Sequence, residues 1–185
     1  TSVIQPGKED YNWKSLNYNT PNKNDLIIYE MLVRDFVEDH HYLTLIDTLD
    51  YLQNLGINAI ELMPINEFEG NNSWGYNPSF LFAPDKYYGT SDELKQFIDA
   101  CHKRGIAVLL DLVINHSYSS SPFVRLYTDG KPTNENPWFN RDHNFANRDA
   151  HWGNDWDHES AHTQQIFKRA IAVSYTHLRA HETQR

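Results

Sequence analysis

An apolar run at residues 111–116, DLVINH, is framed by side chains that make polar contacts: Asp111 in front, Asn115 and His116 behind. A carboxylate, an amide and an imidazole this close together can hydrogen-bond a polyhydroxylated ligand or offer donors to a cation. The ordinary alternative is a buried strand that ends in a turn, where Asn and His are common. A second pattern, HESAH at residues 158–162, fits H-E-x-x-H, in which two histidines one turn apart bind zinc and the glutamate serves as base. Glu182 stands at a plausible distance for a third ligand. That chemistry needs both histidines inside one helix. The preceding WGNDWD reads as loop and Ser160 is a natural N-cap, so the expected helix starts after Ser160 and His158 and His162 straddle its boundary. His40 and His41 are adjacent and share no helix or strand face.

Aromatic side chains make up 14% of the residues, and many lie in polar loops: Trp74, Tyr76, Tyr87, Tyr88, Trp138, Phe139, Trp152 and Trp156. Flat amphipathic rings suit sugars or bases as ligands, and serve equally as covers on a core.

These residues must be positioned by a chain of 185 residues with a net charge of -9, enough for one ordinary domain with a core. The acidic balance argues against a nucleic-acid backbone as partner and names no other. Cys101 has no second cysteine to pair with and falls in an amphipathic helical pattern, so it reads as a small core residue. No apolar run is long enough to span a bilayer. No secretory leader is visible in a chain that begins at Thr1, and the compartment is left unassigned, with secretion or a periplasmic location open.

Residues 1–24 are polar, with Pro6, Gly7 and Pro21, and read as a lead-in or linker. DLIIYEMLVRDF, residues 25–36, reads as a buried strand. Leu45, Ile46, Leu49, Leu52 and Leu55 recur at helical spacing before Gly56. INAIELMP is a second apolar run, ended by Pro64, and a long loop follows to Gly89. Thr90 and Glu93 form a predicted capping box for a helix that closes with His102, Lys103 and Arg104 before Gly105. IAVLLDLVINH is the third apolar run, with Asp111 inside the expected strand and Asn115 and His116 at its exit. Strand, helix, strand, helix, strand, with strands apolar throughout, predicts a parallel sheet with right-handed crossovers. In such folds the ligand-facing residues gather where strands end.

DLVINH resembles the third-strand motif of the α-amylase family, glycoside hydrolase family thirteen. GINAIELMP (residues 56–64) resembles its second-strand motif. WGYNPSFLFAPDKYYGT (74–90) resembles the loop after that strand, and DWDHES (155–160) the short motif near the end of its inserted B domain. The four stand in the family's order and cover about residues 25–172. The resemblance implies an α/β fold, a partial (β/α)8 TIM barrel of about the first three βα units. Residues 25–116 would form the first part of the barrel, 117–157 the B-region excursion after strand three, and 158–172 the third barrel helix. VSYTHLRAHETQR, residues 173–185, matches neither a family helix nor a fourth strand; it resembles translated adapter sequence and is expected to be a non-native tail.

The resemblance also implies roles. Tyr76 stacks on a sugar ring, His116 hydrogen-bonds a hydroxyl of that ring, and Asp111 orients neighbouring polar groups. Asn115 and Asp155 supply oxygens to a structural calcium that pins the excursion to the barrel. The implied partner is an α-glucan polysaccharide or oligosaccharide, and the implied reaction is hydrolysis of α-1,4 links with retention. Retaining enzymes use two carboxyl groups about 5 Å apart. The family carries its reacting carboxylates after the fourth, fifth and seventh strands, so no catalytic residue is expected in this chain. Glu61 and Glu67 are expected to be structural. A barrel that holds glucans without cutting them is the alternative, branching or debranching activity stays open, and a zinc protease is the remote one. A closed barrel needs roughly 250 residues, so the third strand is expected to present an unpaired edge.

Overall fold

The structure is a computed structural model that describes Gly7 and residues 9–178, with backbone alone over 173–178. Its centre is a parallel sheet of three strands: β1 (Ile28–Met31), β2 (Ala59–Leu62) and β5 (Ala107–Leu110), in the order β1-β2-β5. Ile28 pairs with Ala59 and Ala59 with Ala107, so the strands run in step. β2, flanked on both sides, is the most buried; β1 and β5 are the edges among the described residues and are partly exposed. The predicted α/β barrel start is therefore present, and the third strand does end the sheet.

The first apolar run is shorter as a strand than expected. At Leu32 the chain turns into α1 (Val33–Phe36), closed by bonds from Asp35 N and Phe36 N to the Leu32 carbonyl. The helical stretch before Gly56 is broken into α2 (Tyr42–Ile46) and α3 (Leu49–Asn54). At the break the Thr48 hydroxyl donates to the Leu45 carbonyl at 2.7 Å, a bond that competes with the helical ladder. Leu45, Leu49 and Leu52 nevertheless all reach the core beneath β2, together with Met31, Ile60 and Leu62.

After β2, β3 (Asn66–Phe68) and β4 (Pro78–Pro84) form an irregular antiparallel hairpin. α4 (Ser91–Lys103) starts with the expected capping box, Thr90 accepting from Glu93 N and Glu93 receiving Thr90 N. It buries Leu94, Phe97, Ile98 and Cys101 in the same core. The lead-in is docked rather than a loose linker. The carboxylate of Asp99 in α4 receives the Tyr11 hydroxyl and the Lys14 and Ser15 amides, and the Tyr18 ring stacks on His102 at 3.9 Å.

The excursion begins with β6 (His116–Ser117), continues through α5 (Pro122–Arg125) and returns as β7 (Asn154–Asp155), which pairs antiparallel with β6. It has its own apolar centre. Trp156 stacks on Phe139 and meets Phe167 edge-on; Leu81 and Val124 complete the cluster. Phe167 belongs to α6 (Ala161–Leu178), which runs six residues past Ala172, so the stretch expected to be a tail begins within this helix and residues 179–185 lie outside the described residues.

Among the described residues no helix is long and apolar enough to cross a membrane.

Candidate functional site

The third strand does not continue through residue 116. β5 stops at Leu110, because its partner β2 stops at Leu62; Asp111 N makes one further bond, to the Leu62 carbonyl. Asp111 is thus the first residue past the sheet, at its carboxyl edge. Residues 112–115 bridge to β6, where pairing resumes with β7 instead of β2.

This break turns three side chains toward one another. The Tyr76 hydroxyl donates to Asp111 Oδ2 at 2.7 Å. That bond to an anion, with partial burial, pushes the phenol up to about 12. The backbone carbonyl of the same tyrosine lies 2.8 Å from His116 Nε2. His116 is 3% exposed, and burial holds its pKa below the usual imidazole value. The carbonyl can only accept, so Nε2 is the donor in this contact. Nδ1 lies 3.0 Å from the Asn115 side-chain oxygen. Both nitrogens of His116 are engaged inside the protein. The tyrosine ring between these tethers is 38% exposed.

Two glycines allow this approach. Gly75 has φ +91, and a Cβ there would lie 2.2 Å from the Pro64 carbonyl oxygen. Gly153 has φ +59, and a Cβ would lie 2.8 Å from the Ser117 carbonyl oxygen and 3.0 Å from the His116 ring. Gly75 presses the loop before Tyr76 against the end of the second strand, and Gly153 closes the excursion over His116.

Asn115 and Asp155 are brought to neighbouring rungs: His116 pairs with Asp155, and Trp156 N donates to the Asn115 carbonyl at 3.2 Å. Asp155 is 3% exposed, and its Oδ2 receives Asn140 Nδ2 at 2.7 Å and Asn144 N at 3.4 Å.

The aromatic loop residues divide. Tyr88, Phe139 and Trp156 are core, and Trp138 is half-buried. Trp74, Tyr76, Tyr87 and Trp152 are exposed, with Trp152 meeting His116 edge-on. Glu67 is structural, accepting from Lys86 N at 3.0 Å and Nζ at 2.5 Å. Glu61 sits on β2 in register with Glu30.

The zinc pattern does not assemble. α6 begins at Ala161, Ser160 Oγ receives His162 N, and His158 lies before the helix with its ring stacked on Phe167. Glu182 lies outside the described residues. Among the described residues no group of three or more His, Cys, Asp or Glu is placed to hold a metal ion.

One feature was absent from the sequence reading: a cavity of about 550 Å3 walled by Arg34, Asp35, Asp39, Asp85 and Tyr87. It does not include Tyr76 or His116. A carboxylate between a proline and a lysine reads as a solvated loop charge, and nothing local signals that Asp85 is buried.

The family described as alpha amylase, catalytic domain, matches residues 42–183. The malto-oligosyltrehalose trehalohydrolase of Saccharolobus solfataricus is 36% identical over 116 residues, 63% of this chain and 20% of that protein. The 1,4-alpha-glucan branching enzyme GlgB of Vibrio cholerae is 36% identical over 135 residues, 70% of this chain and 18% of that protein. The chain spans about a fifth of the length of the curated relatives it matches. Among solved structures, a Salmonella typhimurium protein assigned as an alpha amylase superposes with a TM-score of 0.80 at 29% identity, over 95% of this chain and 28% of that one. A Paenibacillus barengoltzii pullulanase in complex with maltohexaose and alpha-cyclodextrin gives 0.68 at 22% identity, over 89% and 31%, a likeness of fold.

Proposed function

The chain belongs to the α-amylase family, and from that premise we propose that it forms the sugar-holding rim of an enzyme acting on α-1,4-linked glucans. The observation that carries this reading is the double tether on Tyr76, hydroxyl to Asp111 and carbonyl to His116. A ring fixed at both ends offers a flat apolar plate at the carboxyl edge of a parallel sheet. The C–H face of a sugar can cover it with little further loss of side-chain freedom. Tyr76 is the stacking surface and Asp111 orients it. His116, with both nitrogens engaged, acts as a positioning residue for Tyr76, in place of the direct hydroxyl contact that the family resemblance implies. The names of the curated relatives share a malto-oligosyl or 1,4-α-glucan unit, which supports the substrate class.

Retention requires two carboxyl groups about 5 Å apart. Asp111 is committed to Tyr76, so we assign the reacting carboxylates outside this patch. The polypeptide of 185 residues is expected to turn over no starch while still binding a linear glucan.

Asn115 and Asp155 fit a calcium role. Asp155 is a buried carboxylate whose hydrogen bonds come from neutral amide donors, which leaves its charge to be balanced by a cation. The Asn115 side-chain oxygen, now 3.0 Å from His116 Nδ1, would be the amide ligand on the neighbouring rung. Calcium takes six to eight oxygens, so backbone carbonyls and water would complete the set. Bound there, it would supply positive charge that joins the rim to the excursion.

Titration of the purified chain with maltohexaose tests the reading. Binding that weakens roughly three- to tenfold in Tyr76→Ala is expected from a lost aromatic contact. Unchanged affinity in that variant would remove Tyr76 from the site.

A further inference from the structure

The turn between β4 and α4 buries a carboxylate with no cation bound to it. Asp85 is 0% exposed. Its Oδ1 accepts from Tyr87 N at 2.9 Å, while Oδ2 has no hydrogen-bond partner among the described residues. The buried hydroxyls of Tyr42 on α2 and Tyr88 on the same turn have none either, and the two rings meet edge-on at 6.0 Å.

The cations nearby are already paired. Lys86 Nζ stands 3.9 Å from Asp85 Oδ2 and bonds Glu67 on β3 at 2.5 Å. Arg34 on α1 donates to Asp35 at 2.6 and 3.0 Å and to Asn72 at 2.5 Å. In the segment after α1, Asp39 receives the Thr44 hydroxyl and the His41 amide, and His40 Nδ1 engages the Arg34 carbonyl. The remaining charged neighbours, Glu67, Asp35 and Asp39, are anions. A buried carboxylate without a bound cation lowers its cost by taking up a proton. Burial accordingly holds the Asp85 carboxyl above the usual carboxylate range; the Tyr87 amide and Lys86 pull it down, and Glu67 pushes it up.

This turn shares its anchor with Tyr76. Asp85 N donates to the Ile65 carbonyl at 2.7 Å. The residue before Ile65 is Pro64, whose carbonyl oxygen would stand 2.2 Å from a Cβ on Gly75. Pro64 and Ile65, just past β2, therefore seat both the segment that leads into Tyr76 and the turn that carries Asp85. We propose that Asp85 is a proton-dependent positioning residue: neutral, it stays buried and keeps the loop seated on Pro64 and Ile65; ionised, it drives the turn toward solvent and loosens the seat of Tyr76. The proton is exchanged with solvent, and only the carboxyl O–H bond forms or breaks. In its effect on sugar binding the proposal rests on the glucan reading above; in its effect on the loop it does not.

A carboxyl that titrates higher in the closed turn than in the open one holds the turn shut most firmly below about 3.9, the open-state value. That contribution is lost as pH rises through the closed-state value. Within the window, opening should grow by up to about tenfold per pH unit.

NMR on the whole purified chain tests both halves. The side-chain carboxyl carbon of Asp85 should titrate with a midpoint above the ordinary value of about 3.9; a midpoint at or below it overturns the neutral state. Amide protection factors, corrected for the intrinsic effect of pH on exchange, should fall with rising pH at Asp85 and at Gly75, whose buried N donates to Ser73 Oγ at 3.0 Å. Asp85→Asn keeps an acceptor for Tyr87 N and carries no charge, so both amides should hold their protection across the range. A fall as steep as in the parent chain removes Asp85 from the effect. A variant that does not fold also overturns the proposal, because a neutral side chain of this shape is what the turn is said to hold. Maltohexaose affinity should weaken with rising pH in the parent chain and stay level in Asp85→Asn. Weakening alike in both breaks the link to Tyr76. No binding at any pH overturns the glucan reading and leaves the exchange data to decide the loop.

Discussion

His116 holds Tyr76 by its backbone: the buried imidazole and the tyrosine carbonyl stand 2.8 Å apart, though forty residues separate them in the chain. A buried ring thereby sets the place of a ring that faces solvent. His116→Ala should cost about 1–3 kcal/mol through lost hydrogen bonds, read from the urea midpoint. Its effect on maltohexaose binding should not add to that of Tyr76→Ala, because the first acts through the second. Additive losses in the double variant would separate the two residues.

Tyr76 reports on Asp111 through its own titration. The carboxylate favours the protonated phenol and holds it at about 12. Asp111→Asn removes the anion, so the Tyr76 hydroxyl should ionise at lower pH, nearer the ordinary value of about 10. The Cζ resonance of Tyr76 in NMR follows this directly; an unmoved titration would mean the bond is not formed in solution.

Gly75→Ala should be more harmful than a usual surface change. It places a methyl at 2.2 Å from the Pro64 oxygen in a backbone with φ +91. A loss of about 1–3 kcal/mol or more is expected from strain of this kind. Thermal unfolding measures it, and a neutral result would show that the loop before Tyr76 can move away.

Stability should fall with acid partly through His102. Burial depresses its pKa to about 4, against the opposing pull of Asp99, while in the unfolded chain it titrates near 6.5. Between these values the unfolded chain binds more protons, so stability rises with pH across the window and is lost as pH falls from about 6.5 to about 4. The loss is about 3 kcal/mol at most. His102→Phe keeps a ring against Tyr18 and should flatten this part of the profile in urea unfolding.

Calcium should stabilise the chain if Asn115 and Asp155 hold it. At a hundred times its dissociation constant the gain is about 2.7 kcal/mol, measurable as a shift in melting temperature that EGTA reverses. Asp155→Asn should abolish the shift. A shift that survives in that variant would place the ion elsewhere.

The rhythm of strands and helices was legible because each rests on local periodicity and on end signals: the Thr90 and Glu93 box, and the cations before Gly105. Ser160 as a cap was legible for the same reason, and it decided against the zinc pattern. Strand lengths were not. Residues 107–116 look like one apolar strand, but a strand extends only as far as its neighbour. The second strand stops before Pro64, so the third is released at Asp111 and finds a new partner at His116. The split near Thr48 was hidden because the leucine spacing continues through it. Asp85 was illegible because its burial comes from segments distant in sequence. The resemblance to the family names Tyr76, Asp111 and His116 for one site, and they lie within hydrogen-bond reach of one another; the way both imidazole nitrogens are spent was not legible.

The pairing of β6 with β7 fastens the excursion at its root, with His116 opposite Asp155. Whatever happens between them is hinged on a fixed base. Doubling the length of such a closed loop costs only about 0.6 kcal/mol in closure entropy. The tip is thus a place where insertions and deletions can accumulate, or be grafted by design, while the tyrosine platform stays where it is.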